Sequence, residues 1–180
     1  MTCLKIRCYK ITLNRYIRRL IEPYFEPLFP NQSFGFRPHR NCHDAIRELL
    51  RLWKLGNRIV LDADIKGFFD NIPHTLIMKL VVNRIADGSI LTIIRKFLSS
   101  GVMENGALRK TPLGTPQGGV ISPLLANIVL DSELAFYRYA FVRYADDFIV
   151  LATSATEIEK AYELVRCVIE ENLGMQLAPE

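Results

Sequence analysis

The sequence lacks the features that mark a membrane or secreted protein. No apolar run reaches the roughly 18 residues that a membrane-spanning helix needs. Residues 1–10 mix basic residues with cysteine and contain no continuous apolar stretch, so no secretory signal is predicted. We therefore expect a cytoplasmic protein that has no membrane partner, with an organellar location as the alternative.

Cysteine is scarce, and its spacing argues against two kinds of site. The four cysteines form no Cys-x-x-Cys pair, so neither a zinc site nor a disulfide framework is predicted. They are expected to be reduced thiols that act as small apolar residues, because free cysteine is commonly buried. The chain also has no internal repeat and no low-complexity segment.

Acidic residues are sparse in the first part of the chain. Residues 1–54 hold 11 Lys/Arg against 4 Asp/Glu, a local charge of +7, whereas residues 55–180 hold 12 against 15, a local charge of −3. This fits a protein that grips a phosphate backbone with one part and holds cations with another, although a solvated basic face is the commoner cause. The 180 residues, 49% of them hydrophobic, are enough for one domain with a real core.

The order of the predicted elements indicates an α+β fold. The predicted helices cover residues 11–28, 42–55, 73–86, 89–100 and 156–173, and a further helix has Ser122 as its N-cap and Pro123 at its first position. The predicted strands are 59–65, 139–144 and 148–152, with a loop at 31–41, a turn at 56–57 and a hairpin or loop at 102–112. Prolines 23, 27 and 30 should end the first helix, and Gly174 should cap the last.

An acidic pair interrupts β-prone sequence at Tyr144-Ala145-Asp146-Asp147. In an ordinary solvated loop such a pair has no special meaning. Here apolar strands flank it on both sides, which favours a turn held rigidly beside a sheet. Mg²⁺ needs only one or two carboxylates besides substrate phosphates, so a few well-placed acids are enough for phosphoryl transfer.

A second source of carboxylate follows the alternating strand at 59–65. Asp64 lies at its C-terminal end, on the same face as Asp62. Asp62 and Asp70 compete with Asp64 for a metal-binding role, and a strand-end Asp can also simply cap the next turn. Asp62, one pleat deeper in the strand, fits a structural role better.

Tandem glycines occur in the segment from Gly114 to Gly119. Glycine lets backbone amides approach a ligand closely, and a helix start that follows is a favourable anion site. An ordinary Gly/Pro loop is the alternative.

Four segments taken together closely resemble group II intron-encoded reverse transcriptases, the maturase family. They match in order and spacing as well as in identity, and they are Phe34 to Asn41, Asp64 to Asp70, Gly114 to Asn127 and Arg143 to Phe148. The resemblance runs from about residue 11 to the C-terminus and implies a polymerase palm, a ferredoxin-like antiparallel sheet packed on helices, with part of a helical fingers subdomain. Residues 1–57 would be partial fingers and 58–180 the palm, with a helical insertion at about 73–112.

The resemblance also implies an activity and its partners. The protein would be an RNA-directed DNA polymerase that uses two Mg²⁺ ions, or Mn²⁺, to add deoxynucleotides to a primer 3′-hydroxyl. Its partners would be an RNA template, a DNA or RNA primer, deoxynucleoside triphosphates and, in an intron-encoded protein, the intron RNA. No oligomeric state is implied.

Individual residues receive roles from the same resemblance. Asp64, Asp146 and Asp147 would be the catalytic metal-binding carboxylates, assisted by the Ile65 carbonyl. Phe69 would lie under the incoming sugar and exclude a ribose 2′-hydroxyl, which favours DNA as the product. The residues implied to contact the incoming nucleotide or nucleic acid are Pro116, Gln117, Gly118, Arg37, Arg40 and Tyr144.

Two departures from the family bear on activity. No Gly-rich basic fingers hairpin precedes the first matching helix, and the sequence ends at Glu180, before a primer-gripping strand, thumb or maturase region. Positioning carries much of this catalysis, so the isolated chain is expected to be weakly active or inactive. The alternatives are a non-catalytic RNA-binding or splicing remnant, a reverse transcriptase of a bacterial defence system, and a palm-like domain with another nucleotide-transfer activity.

Overall fold

Helices outnumber strands in the part of the chain that the structure, a computed structural model, describes: residues 2–100, 102–104, 107–109, 113–116, 119–133 and 138–178. The helices are α1 (Thr2–Phe25), α2 (Cys42–Lys54), α3 (Phe68–Asn71), α4 (His74–Val82), α5 (Gly88–Leu98), α6 (Ser122–Glu133) and α7 (Ala155–Arg166), with a 3₁₀ turn at Glu26–Leu28 and a π-helical segment at Cys167–Asn172. The strands are β1 (Ile59–Ala63), β2 (Val102–Glu104), β3 (Ala107–Arg109), β4 (Ala140–Tyr144) and β5 (Asp147–Ala152). The α+β prediction is confirmed.

Two compact units make up the chain, and each is built from two chain segments. The helical unit combines the segment that ends at Leu28 with Phe69–Val129, and the sheet unit combines Phe29–Phe68 with the segment that starts at Leu130. The assignment of residues 1–57 to fingers and 58–180 to palm stays a prediction.

Helix α1 runs through Pro23, the first of the three prolines expected to end it. It also begins at Thr2, well before the predicted start at residue 11. Proline removes one intrahelical hydrogen bond and crowds the carbonyl four residues before it, at a cost of about 3 kcal/mol in a helix interior. Ile17, Ile21 and Phe25 are buried at a spacing of four residues, and this packing carries the helix to Phe25.

Other elements of the helical unit also begin or end at residues that differ from the predicted ones. Helix α4 ends at Val82, four residues before the predicted end at 86, and Asp87 then caps α5 by accepting hydrogen bonds from the backbone of Ser89 and Ile90. Strands β2 and β3 pair antiparallel, which confirms the predicted hairpin; the turn residues 105–106 lie outside the described residues. The short helix α3 was not predicted.

Helix α2 begins at Cys42, as predicted, and Asn41 caps it. The Asn41 side chain accepts a hydrogen bond from the Asp44 backbone at 3.1 Å, and the Asp44 carboxylate accepts one from the Asn41 backbone at 3.0 Å. The inner face of α2 packs on β4 and β5 in a buried cluster of Phe34, Ala45, Leu52, Val142 and Leu151, with Leu49, Ala140 and Ile149 against it.

The sheet has the order β1-β5-β4, and all its pairs are antiparallel. Strand β1 ends at Ala63 instead of Ile65 because the next residues change partner. The backbone of Lys66 donates to Gln176, and that of Ala178 donates to Asp64, each at 2.9 Å. The sheet unit therefore continues past β1 through a second antiparallel pairing.

The last predicted helix is divided into two parts. Ser154 caps α7 through the Glu157 backbone, and α7 lies against β1 and β5 with Ala161 and Val165 buried. The π-helical segment follows, and Gly174 adopts the predicted left-handed conformation with φ +65°.

Two predictions concern sequence features outside the sheet. Cys42 and Cys167 are free thiols, as predicted, but both are exposed on helices, so the role of small apolar residues expected of the cysteines is wrong for these two. No helix within the described ranges is both long and apolar enough to cross a bilayer.

Candidate active site

The acidic turn joins β4 to β5. Tyr144 pairs with Asp147 across the hairpin, so the connection consists of Ala145 and Asp146. Ala145 has φ +61°, a left-handed backbone that is strained for a residue with a Cβ. The prediction of a tight acidic turn between two strands is therefore confirmed, except that β5 begins at Asp147, one residue earlier than predicted.

The register of the sheet sets Asp64 beside this turn. Asp62 pairs with Ile149 and Ala63 with Phe148, which is the last pair of the two strands. Asp64 and Asp147 are the next residues on either strand, and the charge of Asp64 raises the pKa of Asp147. Both aspartates are exposed, whereas Ala63 and Phe148 on the other face are buried. Tyr144, 39% exposed, shares the face of Asp147.

Like charge concentrates at this end of the sheet. Burial raises the pKa of Asp146, and repulsion from Asp147 and Asp64 raises it further, against a backbone hydrogen bond and Arg143, which lower it. Burial also raises the pKa of Asp147, followed by repulsion from Asp64 and then Asp62. The electrostatics thus show that these carboxylates interact, Asp62 included, although its predicted role is structural.

The donor chemistry of this cluster fits a hard divalent cation. Carboxylate oxygens are the ligands that Mg²⁺ and Mn²⁺ prefer, and a cation relieves the repulsion among them. Within the described residues, no three His, Cys, Asp or Glu side chains converge closely enough to form a ready-made metal site. One or two carboxylates suffice when substrate phosphates supply the remaining ligands, so the arrangement suits a site that substrate completes.

Ile65, whose carbonyl is the predicted backbone ligand, follows Asp64 in the sequence, and its side chain is buried. Its carbonyl accepts a hydrogen bond from the Phe68 backbone at 3.2 Å, and Ile65 pairs with Leu177. A carbonyl has two lone pairs, so this bond leaves one of them. The metal-binding role of Ile65 stays a prediction.

In the helical unit, a hydrogen bond joins the chain segments that hold the predicted nucleotide-binding residues Phe69 and Pro116. The Thr115 backbone donates to the Phe69 carbonyl at 2.7 Å, which joins α3 to the segment that holds Pro116. His74 Nε2 donates to the Gly114 carbonyl at 2.7 Å. Gly114 has φ +81°, and a Cβ there would lie 2.6 Å from the Asp70 carbonyl, so only glycine fits.

Pro116 also fixes the start of α6. Its carbonyl accepts from the Ser122 hydroxyl at 2.9 Å and from the Gly119 backbone at 3.0 Å. The prediction that Ser122 is the N-cap is wrong: Ser122 is the first helical residue, and the Ile121 carbonyl accepts the first helical bond, from Leu125. Gln117 and Gly118 lie outside the described residues, so their predicted contacts stay predictions.

The two arginines predicted to face nucleic acid have partners inside the chain. Arg37 is only 7% exposed and donates to the carbonyls of Pro30 and Ser33. Arg40 is partly exposed, donates to Asn31, and stacks on the Phe34 ring with 5.4 Å between guanidinium carbon and ring centre. Both residues hold the loop at 31–41 together, and their contacts with nucleic acid stay predictions.

Sequence reasoning missed a buried group behind the acidic turn. Arg143 is fully buried and bonds Ser33, Asp131 and the Ala145 carbonyl, each at 2.6 Å. Burial raises the pKa of Asp131, and Arg143 opposes the rise. An arginine within an otherwise apolar strand was the available signal.

Gly35 lies against the same turn. The backbone of Phe34 donates to the Arg143 carbonyl at 2.9 Å, so the loop pairs with the edge of β4. A Cβ at Gly35 would lie 2.2 Å from the Ala145 backbone nitrogen, and this close approach requires glycine.

The sequence matches the family described as reverse transcriptase (RNA-dependent DNA polymerase) over residues 4–180. The group II intron-encoded protein LtrA of Lactococcus lactis subsp. cremoris is 46% identical over 114 residues, 63% of this chain and 19% of LtrA. Protein YkfC of Escherichia coli K12 is 32% identical over 206 aligned positions, covering 92% of this chain and 54% of YkfC. The chain thus spans about a fifth and about half the length of these relatives.

Solved structures give the same fold. Telomerase from Candida tropicalis, in complex with a fragment of telomeric RNA, superposes with a TM-score of 0.70 at 14% identity, covering 96% of this chain and 33% of that chain. At this identity the likeness shows the fold alone. The family match covers nearly the whole sequence and confirms the predicted resemblance, and the chain belongs to the reverse transcriptase (RNA-dependent DNA polymerase) family.

Proposed function

We propose that Asp64, Asp146 and Asp147 form the metal-binding centre of an RNA-directed DNA polymerase. The observation that supports this proposal is the last β1–β5 pair, Ala63 with Phe148, next to which Asp64 and Asp147 lie in a chain of this family. When bound, two Mg²⁺ ions, or Mn²⁺ in their place, would activate the primer 3′-hydroxyl and stabilise the leaving oxygen of a deoxynucleoside triphosphate.

The chain's own residues would bind and orient the substrates. Phe69 would exclude a 2′-hydroxyl by steric overlap, because a bulky ring under the sugar leaves no space for it. Pro116, Gln117 and Gly118 would contact the nucleotide. The hydrogen bond between the Thr115 backbone and the Phe69 carbonyl supports this, since it joins the segment of Phe69 to the segment of Pro116.

The proposed partners are an RNA template and a DNA or RNA primer. Tyr144 supports this role because its exposed ring shares a face with Asp147. Arg40 offers a partly exposed cation, and Arg37 would act through the loop that it holds. The similarity to LtrA favours a group II intron origin, with intron RNA as a further partner.

Single-nucleotide incorporation tests the proposal. The protein chain, in excess over the duplex, is mixed with an RNA template annealed to a DNA primer, one labelled deoxynucleotide, and Mg²⁺ or Mn²⁺. Asp146→Asn and Asp147→Asn should each slow incorporation at least about 100-fold, equivalent to roughly 2.7 kcal/mol in the barrier. Binding of the same duplex should persist or strengthen, because a negative charge that repels phosphate is removed.

Glu159→Gln is the matched control. Glu159 is exposed on α7, and the change removes the same charge away from the turn, so incorporation should not change. If the parent chain binds the duplex but binds neither metal ion and adds no nucleotide, a non-catalytic RNA-binding role replaces this proposal. Full incorporation by Asp147→Asn would contradict the assigned metal ligands.

A further inference from the structure

Arg143 is the largest fully buried side chain in the described part of the molecule, and it lies directly behind the acidic turn. One end of its guanidinium, Nη1, donates to the Ala145 carbonyl at 2.6 Å. The other, Nη2, donates to the Ser33 hydroxyl and to the Asp131 carboxylate, both at 2.6 Å. The planar group thus joins the turn, the loop at 31–41 and helix α6 in a fixed geometry.

Stability alone is a poor reason for this arrangement. Removing two charges from water costs several kcal/mol per ion, and well-packed apolar residues in place of a buried ion pair are often neutral or stabilising. The side-chain exposures of Arg143 and Asp131 are 1% and 6%, so both carry this cost in full. What apolar residues cannot supply is a directed hydrogen bond to the Ala145 carbonyl.

That hydrogen bond acts at the strained point of the turn. Ala145 has φ +61°, and such a conformation persists only when its surroundings hold it. Arg143 holds the carbonyl of Ala145, while Gly35 lies against its nitrogen. The next two residues along the chain are Asp146 and Asp147.

We propose that Arg143 is a positioning residue of the polymerase centre, which fixes the Ala145 carbonyl and so sets the two aspartates for metal binding. Asp131 and Ser33 in turn orient Arg143. The inference rests on the proposed function of Asp146 and Asp147 as metal ligands. Outer groups that orient metal ligands typically contribute about 10–100-fold to metal affinity, and this is the range expected here.

The test replaces both members of the buried pair together. In Asp131→Leu/Arg143→Met the net charge of the chain is unchanged, so long-range electrostatics are preserved. Mn²⁺ affinity of the full chain without nucleic acid is measured by electron paramagnetic resonance. Hydrogen exchange of the peptide that covers 144–148 reports the order of the turn, and near-ultraviolet circular dichroism reports folding.

The double variant should fold, exchange faster at the turn, and bind Mn²⁺ about 10-fold or more weakly. Ser33→Ala removes one orienting bond and keeps the one to Ala145, so its loss should be smaller. Should the apolar pair fail to fold, Asp131→Asn/Arg143→Gln keeps a polar pair, and the same loss of Mn²⁺ affinity is expected. A folded variant with either wild-type Mn²⁺ affinity or unchanged exchange would overturn the proposal and leave Arg143 a structural residue.

The proposed function fails by a different result. Mn²⁺ binding by the parent that Asp146→Asn and Asp147→Asn leave intact would remove the metal centre itself. The metal-positioning role of Arg143 falls with it, and hydrogen exchange then tests only whether Arg143 orders the turn: faster exchange supports this, and unchanged exchange overturns it.

Discussion

Ala145 shows how much of this site depends on single residues outside the acidic pair. Its left-handed backbone would cost a residue with a Cβ about 1 kcal/mol or more if nothing held it. Gly35 contributes by having no side chain, since the space that a Cβ would fill is taken by the Ala145 backbone. Glycine at position 35 is therefore a requirement of packing, and its own φ plays no part.

Gly35→Ala should destabilise the chain by about 1–3 kcal/mol, because backbone must shift to admit the methyl group. In a chain of this size each kcal/mol lowers the melting temperature by roughly 2–4 °C, which a thermal melt followed by circular dichroism resolves. The same shift should displace the turn, so Mn²⁺ affinity should fall as well.

Gly88→Ala is the matched control for this change. Nothing lies within 4 Å of a Cβ built at Gly88, which is the first residue of α5. Alanine is the better helix former by up to about 1 kcal/mol, so this variant should be neutral or slightly more stable. Equal behaviour of the two variants would show that the turn and the loop move apart readily.

At the scale of elements, α2 shows how a capping motif of a few residues affects strands that are distant in the sequence. The capping box between Asn41 and Asp44 fixes where the helix begins, and α2 packs on the two strands that end in the acidic turn. Asn41→Ala removes the acceptor for the Asp44 backbone and should cost about 1 kcal/mol. A urea melt should show a lower midpoint with an unchanged slope.

The exposed Asn83, after α4, offers the same substitution without a helix start to cap. Asn83→Ala should change the free energy of unfolding by no more than about 0.5 kcal/mol. If Asn41→Ala is equally neutral, the hydrogen bonds of the capping box contribute nothing net to stability.

The same contrast explains which elements the sequence predicts. The start of α2, strand β1 and the turn between β4 and β5 follow from caps, alternation and β-prone runs within a few residues. The exit of α1 past Pro23 depends on buried contacts along the whole helix, which no local rule contains. The end of β1 likewise depends on residues 176–178, more than a hundred positions away.

In the candidate site, the sequence revealed the proposed metal ligands but not the residues that hold them in place. The acids were visible as an interruption of apolar strands. Arg143 was not assigned, because its partner Ser33 lies 110 positions away in the sequence. Arg37 was expected to face nucleic acid, yet its guanidinium is buried against backbone carbonyls, since loop packing decides the direction of a side chain and residue type does not.

At the scale of the whole molecule, the acidic cluster that the proposed function requires lowers the stability of the fold. Asp147 has a pKa raised above its ordinary value of 3.8, first by burial and then by Asp64 and Asp62. The ionised form is therefore disfavoured in the folded chain. This penalty is present in full above the folded pKa, shrinks as pH falls through it, and disappears below the ordinary value.

Asp147→Asn should accordingly melt higher than the parent in metal-free buffer near about pH 7, and the difference should vanish near about pH 3. Glu157→Gln gives the opposite sign as a control. Hydrogen bonds from Thr153 lower the pKa of Glu157, so its ionised form stabilises the fold near neutral pH, and the variant should melt lower there. That deficit should shrink as pH falls through the lowered pKa.

Added Mg²⁺ should distinguish Asp147 from Glu157 further. It should raise the melting temperature of the parent and of Glu157→Gln near about pH 7, since a ligand that binds only the folded state stabilises it, and it should leave Asp147→Asn unchanged. The carboxylates bind the cation only when ionised, so this gain should fall on acidification. The prediction is contradicted if Asp147→Asn melts lower than the parent in metal-free buffer at neutral pH. The carboxylate would then make net favourable contacts in the fold. The acidic turn would be a stabilising feature instead of a site held ready for a cation.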